Sequence, residues 1–254
     1  MRPKGNPVNV KTVVVIPSRY GSTRFDGKPL VAIAGKPMIQ WVYERAQQAG
    51  HITDVVVATD DDRIVEAVSA FGGQVVLTSD RCRSGTDRVA ETADIMQLED
   101  TDIVVNLQGD QPLINPECLN QVVAPFRNDK TVKMSTLAFR IAERREITDP
   151  KDVKVTFDNN FDALYFSRSP IPCGRDGDEN FGSYKHLGVY AYTKGFLNLF
   201  AKLPAGRLEN IEKLEQLRAM EHGHRIRVVI TDHDSPEVDL PIDISRIERR
   251  LASQ

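Results

Sequence analysis

Thr12-Val-Val-Val-Ile-Pro17 is the stretch on which the fold turns, and it runs into Ser18-Arg-Tyr-Gly-Ser-Thr-Arg-Phe-Asp-Gly-Lys-Pro-Leu30. An apolar run without polar alternation predicts a strand buried on both faces, as in a parallel sheet covered by helices. From Pro37 onward, Met38, Trp41, Val42, Arg45, Ala46 and Ala49 recur at helical spacing, predicting a helix with one buried stripe that ends at Gly50. Val55–Ala58 and Val75–Leu77 read as further buried strands. Between them, Ile64, Val65, Val68 and Phe71 mark a second helix stopped by Gly72-Gly73. A helix around residues 86–97 precedes the strand Ile103–Leu107. This alternation predicts an α/β fold, doubly wound on a mostly parallel sheet.

Beyond about residue 130 the rhythm changes, and a β-rich lateral portion is expected. Met134–Phe139 reads as a strand. Val153, Val155 and Phe157 alternate, and Asp158-Asn159-Asn160 turns the chain into Ala163–Phe166, predicting a hairpin. Leu187–Thr193 and Ile226–Ile230 are further strand candidates, and Ile242–Leu251 is the last helix. Ile211, Leu214, Leu217 and Met220 predict one helix running to Gly223, its stripe facing the core or a dimer interface. Residues 1–11 read as a flexible arm and residues 12–254 as a single domain. Within that domain, about 12–130 forms a nucleotide-binding half and about 131–225 a sugar-binding and dimerisation portion.

Composition narrows the function classes. The chain has 254 residues, 41% of them hydrophobic, and 33 Lys and Arg against 36 Asp and Glu give a net charge of −3. No basic excess marks a nucleic-acid partner. No apolar stretch approaches the roughly 18 residues of a membrane span, and residues 1–10 lack a secretory signal's apolar region. Cys82, Cys118 and Cys173 are scattered without C-x-x-C spacing, so free thiols are expected and a zinc site is not. The expectation is a soluble cytoplasmic enzyme.

The loop after the first strand leaves its carboxyl end, where open α/β sheets bind ligands. It carries Arg19, Arg24 and Lys28, hydroxyls at Ser18, Ser22 and Thr23, and Gly21 and Gly27. Glycines let amides approach anionic oxygens and cations supply charge, so a polyphosphate fits, whereas the plain alternative is a solvated basic loop. Asp110, in Gln108-Gly109-Asp110 after a buried strand, suits a hard divalent cation; the alternative is a turn aspartate satisfying amides. Asp60-Asp61-Asp62 reads as the cap and first turn of the helix through Ile64, with a glycosyltransferase metal motif as the other reading. Ser84 or Thr86 reads as a helix cap. Arg168, at a strand end, is a natural partner for a carboxylate or half of a surface ion pair.

Arg-x-x-Ser-Thr-Arg-x-x-Gly-Lys-Pro-Leu over residues 19–30 resembles the sugar-activating nucleotidyltransferases, and within them the 3-deoxy-manno-octulosonate (Kdo) cytidylyltransferases. Ala58-Thr-Asp60, Ser84-Gly-Thr-Asp-Arg88, Gln108-Gly-Asp110, Ala163–Arg168, His186-Leu-Gly-Val-Tyr190, Leu214–Arg218 and Val238-Asp239 follow in the family's order. The resemblance implies transfer of CMP from CTP to a 3-deoxy sugar acid for lipopolysaccharide synthesis. It places Arg19 and Lys28 on the phosphates, helped by Ser22 and the amides around Gly21, and Ser84, Gly85, Thr86 and Arg88 at the base and ribose. Asp110 and Asp239 would hold Mg²⁺. Gln108, Arg168, His186, Tyr190, Glu215 and Gln216 would line the sugar pocket, and a homodimer is expected.

Three departures from the family pattern stand out. Asp26 follows Phe25 where relatives carry proline, Leu240-Pro-Ile-Asp243 replaces Thr-Pro-Glu-Asp, and Gln111 stands where many Kdo enzymes have Glu. Gln111 and the run Tyr184–Tyr192 look more like a branch acting on the 8-amino-3,8-dideoxy sugar. The alternatives are another sugar nucleotidyltransferase, for instance for N-acetylneuraminate, a glycosyltransferase of related fold, and a nucleotide-binding regulator without turnover.

Overall fold

A computed structural model describes residues 10–21, 25–175 and 181–253; Ser22, Thr23, Arg24 and the expected arm up to residue 9 lie outside them. The first half runs β1 (Thr12–Pro17), β2 (Ala32–Ile33), β3 (Lys36–Pro37), α1 (Met38–Gln47), β4 (Asp54–Thr59), α2 (Asp62–Ala70), β5 (Val75–Leu77), α3 (Gly85–Ile95), β6 (Ile103–Asn106) and α4 (Pro116–Asn128). The second half runs β7 (Met134–Arg140), α5 (Arg144–Thr148), β8 (Lys154–Phe157), β9 (Ala163–Ser167), β10 (Tyr184–Thr193), α6 (Lys194–Lys202), α7 (Arg207–Glu212), α8 (Gln216–Glu221), β11 (Arg227–Thr231) and α9 (Pro241–Leu251).

The main sheet has the order β11-β7-β10-β6-β1-β4-β5, with the β8–β9 hairpin attached through β10. β10 is antiparallel to both β6 and β7, while β1, β4, β5 and β6 pair in parallel and β11 is parallel to β7. The reason for the unbroken apolar run in β1 is now explicit. Val14 and Ile16 pack with α1, α2 and α4 in one core, whereas Val13 and Val15 pack with α3, α6 and α8 in the other. Helices therefore cover both faces, and a strand buried twice has no place for a polar side chain.

From β1 the chain moves outward through β4 to β5, then crosses back to put β6 on β1's other side. That reversal opens a crevice at the carboxyl ends of β1 and β6, where loops diverge to opposite faces. A smaller core of Ile33, Met38, Leu113, Val238 and Ile247 docks α9 and the chain before it onto the β2–β3 hairpin.

One expected element is corrected. The stripe Ile211, Leu214, Leu217 and Met220 does not lie on a single helix but on α7 and α8, separated by Lys213 at φ 55°. In a continuous helix the carbonyls of Glu212 and Lys213 would accept from amides four residues on. Here Arg168 takes them instead, Nε donating to Glu212 O at 2.7 Å and Nη2 to Lys213 O at 3.4 Å. The Glu212 carboxylate in turn accepts from the Ser167 hydroxyl and the Arg168 amide, at 2.9 and 3.0 Å. Ile211 is consequently 64% exposed, while Leu214 and Leu217 are buried. The first helix also stops earlier than Gly50, at Gln47.

Candidate active site

Three loops meet at the crevice. The loop after β1 returns through a single 3₁₀ turn, Lys28–Leu30, entered from Gly27 in the left-handed region. The loop after β6 carries Gln108-Gly109-Asp110 past β1. It passes so close that a Cβ on Gly109 would sit 3.1 Å from Ser18 Oγ, so any larger residue there would have to displace the serine hydroxyl by a few tenths of an ångström. The chain before α9 brings Glu237, Val238 and Asp239, and the Val238 amide donates to the Asp110 carbonyl at 2.9 Å. That bond fixes the two acidic loops against each other by main chain.

Their charges converge on one ammonium. Lys28 Nζ donates to Asp110 Oδ2 at 2.6 Å and lies 3.9 Å from Asp239 Oδ1. Asp110 Oδ1 is buried and has no hydrogen-bond partner among the described residues. Glu237 was not singled out from sequence, although its alternation with Asp239 about the buried Val238 puts both on one side of the chain. Burial, and next the carboxylates of Asp110 and Asp239, push the Glu237 carboxyl well above the usual carboxylate range. Among the described residues no three His, Cys, Asp or Glu side chains converge into a closed metal cage. Asp110 and Asp239 are the pair able to hold a cation that takes its other ligands from elsewhere.

A cavity of about 310 Å³ lies on one side of this junction, bordered by Ser18, Arg19, Lys28, Cys82, Arg83, Ser84, Gly85, Arg88, Gln108, Asp110 and Asp239. Arg19, Lys28, Ser84, Gly85 and Arg88 are thus brought together as expected positions of one site. Ser84 caps α3, its Oγ accepting from the Asp87 amide at 3.1 Å, which turns the helix's positive end toward the cavity. Arg88 is buried, donating to Asp60 Oδ2 at 2.8 Å and to the Thr78 hydroxyl. Thr86 is buried too, but its hydroxyl donates to the Glu215 carboxylate and it does not border this cavity. Gly21 is exposed and away from the wall, and Ser22 lies outside the described residues. Asp61 caps α2, accepting from Arg63 N at 3.0 Å, which agrees with the capping reading of Asp60–Asp62.

A larger cavity, about 740 Å³, lies on the other side and includes Gln108, Asp110, Arg168, Lys185, His186, Glu237 and Asp239 in its wall. Gln108 donates to Asn106 Oδ1 at 3.1 Å, Asn106 sits opposite Tyr190 in the β6–β10 register, and the Tyr190 ring is 5.0 Å from that of His186. Burial pushes the His186 imidazole down to about 3, so it is neutral, with Nε2 2.9 Å from the Thr136 hydroxyl. Tyr190, Glu215 and Gln216 border neither cavity; Gln216 is buried, and Glu215 is half-buried with its carboxylate accepting from the Thr86 hydroxyl. Arg168 reaches the wall with its guanidinium already donating to the carbonyls of Glu212, Lys213 and Pro150.

The three departures resolve individually. Asp26 is exposed and borders neither cavity. Leu240 begins α9, where Asp243 Oδ2 accepts from the amides of both Asp239 and Leu240, at 3.0 and 2.9 Å. Gln111 is fully buried, its Nε2 donating to Leu187 O at 2.6 Å and to Glu237 Oε1 at 3.3 Å. Residue 111 therefore touches the larger cavity's wall through Glu237.

Residues 13–226 match the family model described as cytidylyltransferase. The chain belongs to the cytidylyltransferase family. Among members of that family, the 3-deoxy-manno-octulosonate cytidylyltransferase of Desulfatibacillum aliphaticivorans is 62% identical over 245 residues, covering 96% of this chain and 100% of the relative. The 8-amino-3,8-dideoxy-manno-octulosonate cytidylyltransferase of Shewanella woodyi is 58% identical over 244 residues, covering 96% and 99%. A solved structure of CMP:2-keto-3-deoxy-manno-octonic acid synthetase complexed with CTP superposes with a TM-score of 0.90 at 43% identity, covering 96% of this chain and 99% of that one. More distant, a 4-diphosphocytidyl-2C-methyl-D-erythritol synthase shares the fold at a TM-score of 0.65 and 14% identity. No helix among the described residues of this cytidylyltransferase is long and apolar enough to cross a membrane, and Cys82, Cys118 and Cys173 are unbridged.

Proposed function

We propose that this enzyme transfers CMP from CTP to 3-deoxy-D-manno-octulosonate or its 8-amino-3,8-dideoxy analogue, releasing diphosphate, as a step of lipopolysaccharide synthesis in the cytoplasm. One observation carries the reading. Two cavities of different size share the wall formed by Gln108, Asp110 and Asp239. A transferase joining two substrates needs such a common edge, and the names of the close relatives indicate what fills each side.

The chemistry is attack of the sugar's anomeric hydroxyl oxygen on the α-phosphorus of CTP. The new O–P bond forms as the bond to the bridging oxygen breaks, the hydroxyl's proton passes to solvent, and diphosphate leaves with the electron pair of the broken bond. Bringing a carboxylate to a triphosphate meets repulsion, so the protein's contribution is positioning and charge stabilisation. Arg19 and Lys28 on the smaller cavity are the cations for the phosphates, and the α3 terminus at Ser84 and Gly85 offers amides to anionic or polar groups. Gln108, His186, Tyr190, Glu215 and Gln216 are the proposed sugar contacts. Neutral His186 brings no charge, and with Nε2 engaged by the Thr136 hydroxyl and the Gly188 amide it has Nδ1 left for a sugar hydroxyl. Arg168 supports the sugar side by holding the Glu212–Lys213 carbonyls.

A hard divalent cation, Mg²⁺ in this proposal, fits the donor set. Asp110 and Asp239 present oxygen ligands, and the buried, unpartnered Asp110 Oδ1 lacks the donor that such a group ordinarily has. When bound there, the ion would neutralise phosphate charge and polarise the α-phosphoryl group. Residues 12–254 are read as one domain, a reading supported by the sheet that unites strands of both halves. The exposed Phe161, Leu164 and Ile211 of the second half support a homodimer. Diphosphate release from CTP and Mg²⁺, with Kdo, 8-amino-Kdo and N-acetylneuraminate offered in parallel, tests the function. Release with either octulosonate is expected. Absence of release with both sinks the proposal.

A further inference from the structure

A lysine ammonium is a compact point charge on a flexible four-carbon stem, so its main chain can be fixed while the charge moves. At Lys28 the main chain is fixed. The Gly27 amide donates to the Tyr20 carbonyl at 3.1 Å, and the Gly27 carbonyl accepts from the Leu30 amide at 2.9 Å, closing the 3₁₀ turn. The ammonium lies on the wall of the smaller cavity, 2.6 Å from Asp110 Oδ2 and 3.9 Å from Asp239 Oδ1. The Lys28 side chain is 15% exposed and those of the aspartates 25% and 27%, so water screens these charges less than it screens a surface pair. Arg88, another cation of this wall, is already held by Asp60 at 2.8 Å. Asp110 Oδ1, meanwhile, is buried without a hydrogen-bond partner. The ammonium thus meets one oxygen of Asp110 and leaves the other for a cation with several ligand positions.

We propose that Lys28 is a place-holder: its ammonium guards the Asp110–Asp239 pair until a triphosphate draws it away, so divalent cation and nucleotide bind as a couple. The inference rests on the reading of Asp110 and Asp239 as metal ligands made above. A doubly charged ion arriving alone meets the ammonium's positive charge and must displace it into a cavity that holds no anion to receive it. With the triphosphate present, the stem turns and the ammonium exchanges carboxylate for phosphate oxygens. Until then it also offsets the negative charge that the two aspartates would turn against an approaching anion. By linkage, the factor by which the nucleotide raises metal affinity is the factor by which the metal raises nucleotide affinity.

Lys28→Met keeps an unbranched stem and removes the charge. Mn²⁺, which takes the same oxygen ligands as Mg²⁺, is titrated without nucleotide, and the paramagnetic resonance signal of the free ion gives its Kd. Lys28→Met is expected to bind Mn²⁺ at least about tenfold more tightly than wild type, inside the roughly 5- to 150-fold span of coupling between sites. Lys28→Arg, which keeps a cation at this position, should leave Mn²⁺ binding as weak as in wild type. Mg²⁺ alone should raise the thermal midpoint of Lys28→Met more than that of wild type, a readout independent of turnover. If Lys28→Met does not fold, Lys28→Gln is read by the same titration. Equal Mn²⁺ affinity in wild type and the uncharged variant overturns the place-holding role. Equal tightening by Lys28→Arg overturns it as well, since the charge is then not the cause. Adding Asp110→Asn or Asp239→Asn to Lys28→Met should abolish the gain. Tight Mn²⁺ binding that survives both of these additions instead overturns the underlying reading of the pair as metal ligands.

Discussion

Arg19 and Arg168 are both arginines at strand ends, one in each half of the molecule, and the structure uses them in opposite ways. Arg19 is exposed on the wall of the smaller cavity. Arg168 has its donors engaged by the carbonyls of Pro150, Glu212 and Lys213, so it organises main chain first. The first half is regular enough that its loops are free to carry charge to a cavity wall. In the second half, short helices and an antiparallel strand leave carbonyls that a side chain must satisfy. A cation's place at a strand end does not reveal which of these tasks it performs.

The comparison can be broken most sharply at the junction between the halves. Asp110→Asn should lower turnover by at least about a thousandfold, about 4 kcal/mol in the barrier, with CTP and sugar saturating. Activity within about tenfold of wild type contradicts its metal role. In the regular half, Ile16→Ala empties a site buried in the sheet and should destabilise the fold by about 2–5 kcal/mol, read as a shifted denaturant midpoint. Arg168→Lys keeps charge but loses the planar fork, and about 1.5–3 kcal/mol of stability should go with it. In that variant the sugar KM should rise more than the CTP KM. A change confined to CTP would reverse the assignment of Arg168 to the sugar half.

His186 gives a pH-dependent contrast. Its folded-state value, about 3, lies below the unfolded value near 6.5, so between these limits the unfolded chain binds more protons. Stability therefore falls as pH drops from about 6.5 toward 3, by at most about 2 kcal/mol at pH 5 from this group. His186→Gln should flatten that part of the thermal midpoint against pH, and an unchanged slope means the imidazole is not held neutral. The smallest expected effect is Ile211→Ala. It should change stability by less than about 0.5 kcal/mol, read as the denaturant midpoint, and a larger loss contradicts the exposed position of this side chain.

Much of the fold was legible because its elements satisfy local and global demands together. The alternating cores of β1, the capped starts of α2 and α3 and the hairpin between β8 and β9 follow from pattern and turn chemistry. The α7–α8 break was not legible, because its cause is a side chain from β9's end, far away in sequence. Asp110 could be read at a strand's end, but Asp239 drew its meaning from resemblance. Glu237 escaped notice because its significance lies in the carboxylates that surround it. Adjacency in sequence does not show that Thr86, unlike Ser84 and Gly85, stands off the smaller cavity's wall with its hydroxyl on Glu215.

The clasp between Val238 N–H and the Asp110 carbonyl has a consequence for how the enzyme comes into being. The neighbouring contact between Gln111 and Glu237 spans 126 positions. Contacts so distant in sequence carry a large loop-closure entropy and form late, and a growing chain folds from its N-terminal end. Most of the sheet can pair before the second acidic loop has been synthesised. The two carboxylates at the junction come together only once the last stretch has docked, so the final geometry of the crevice marks the end of folding rather than its middle.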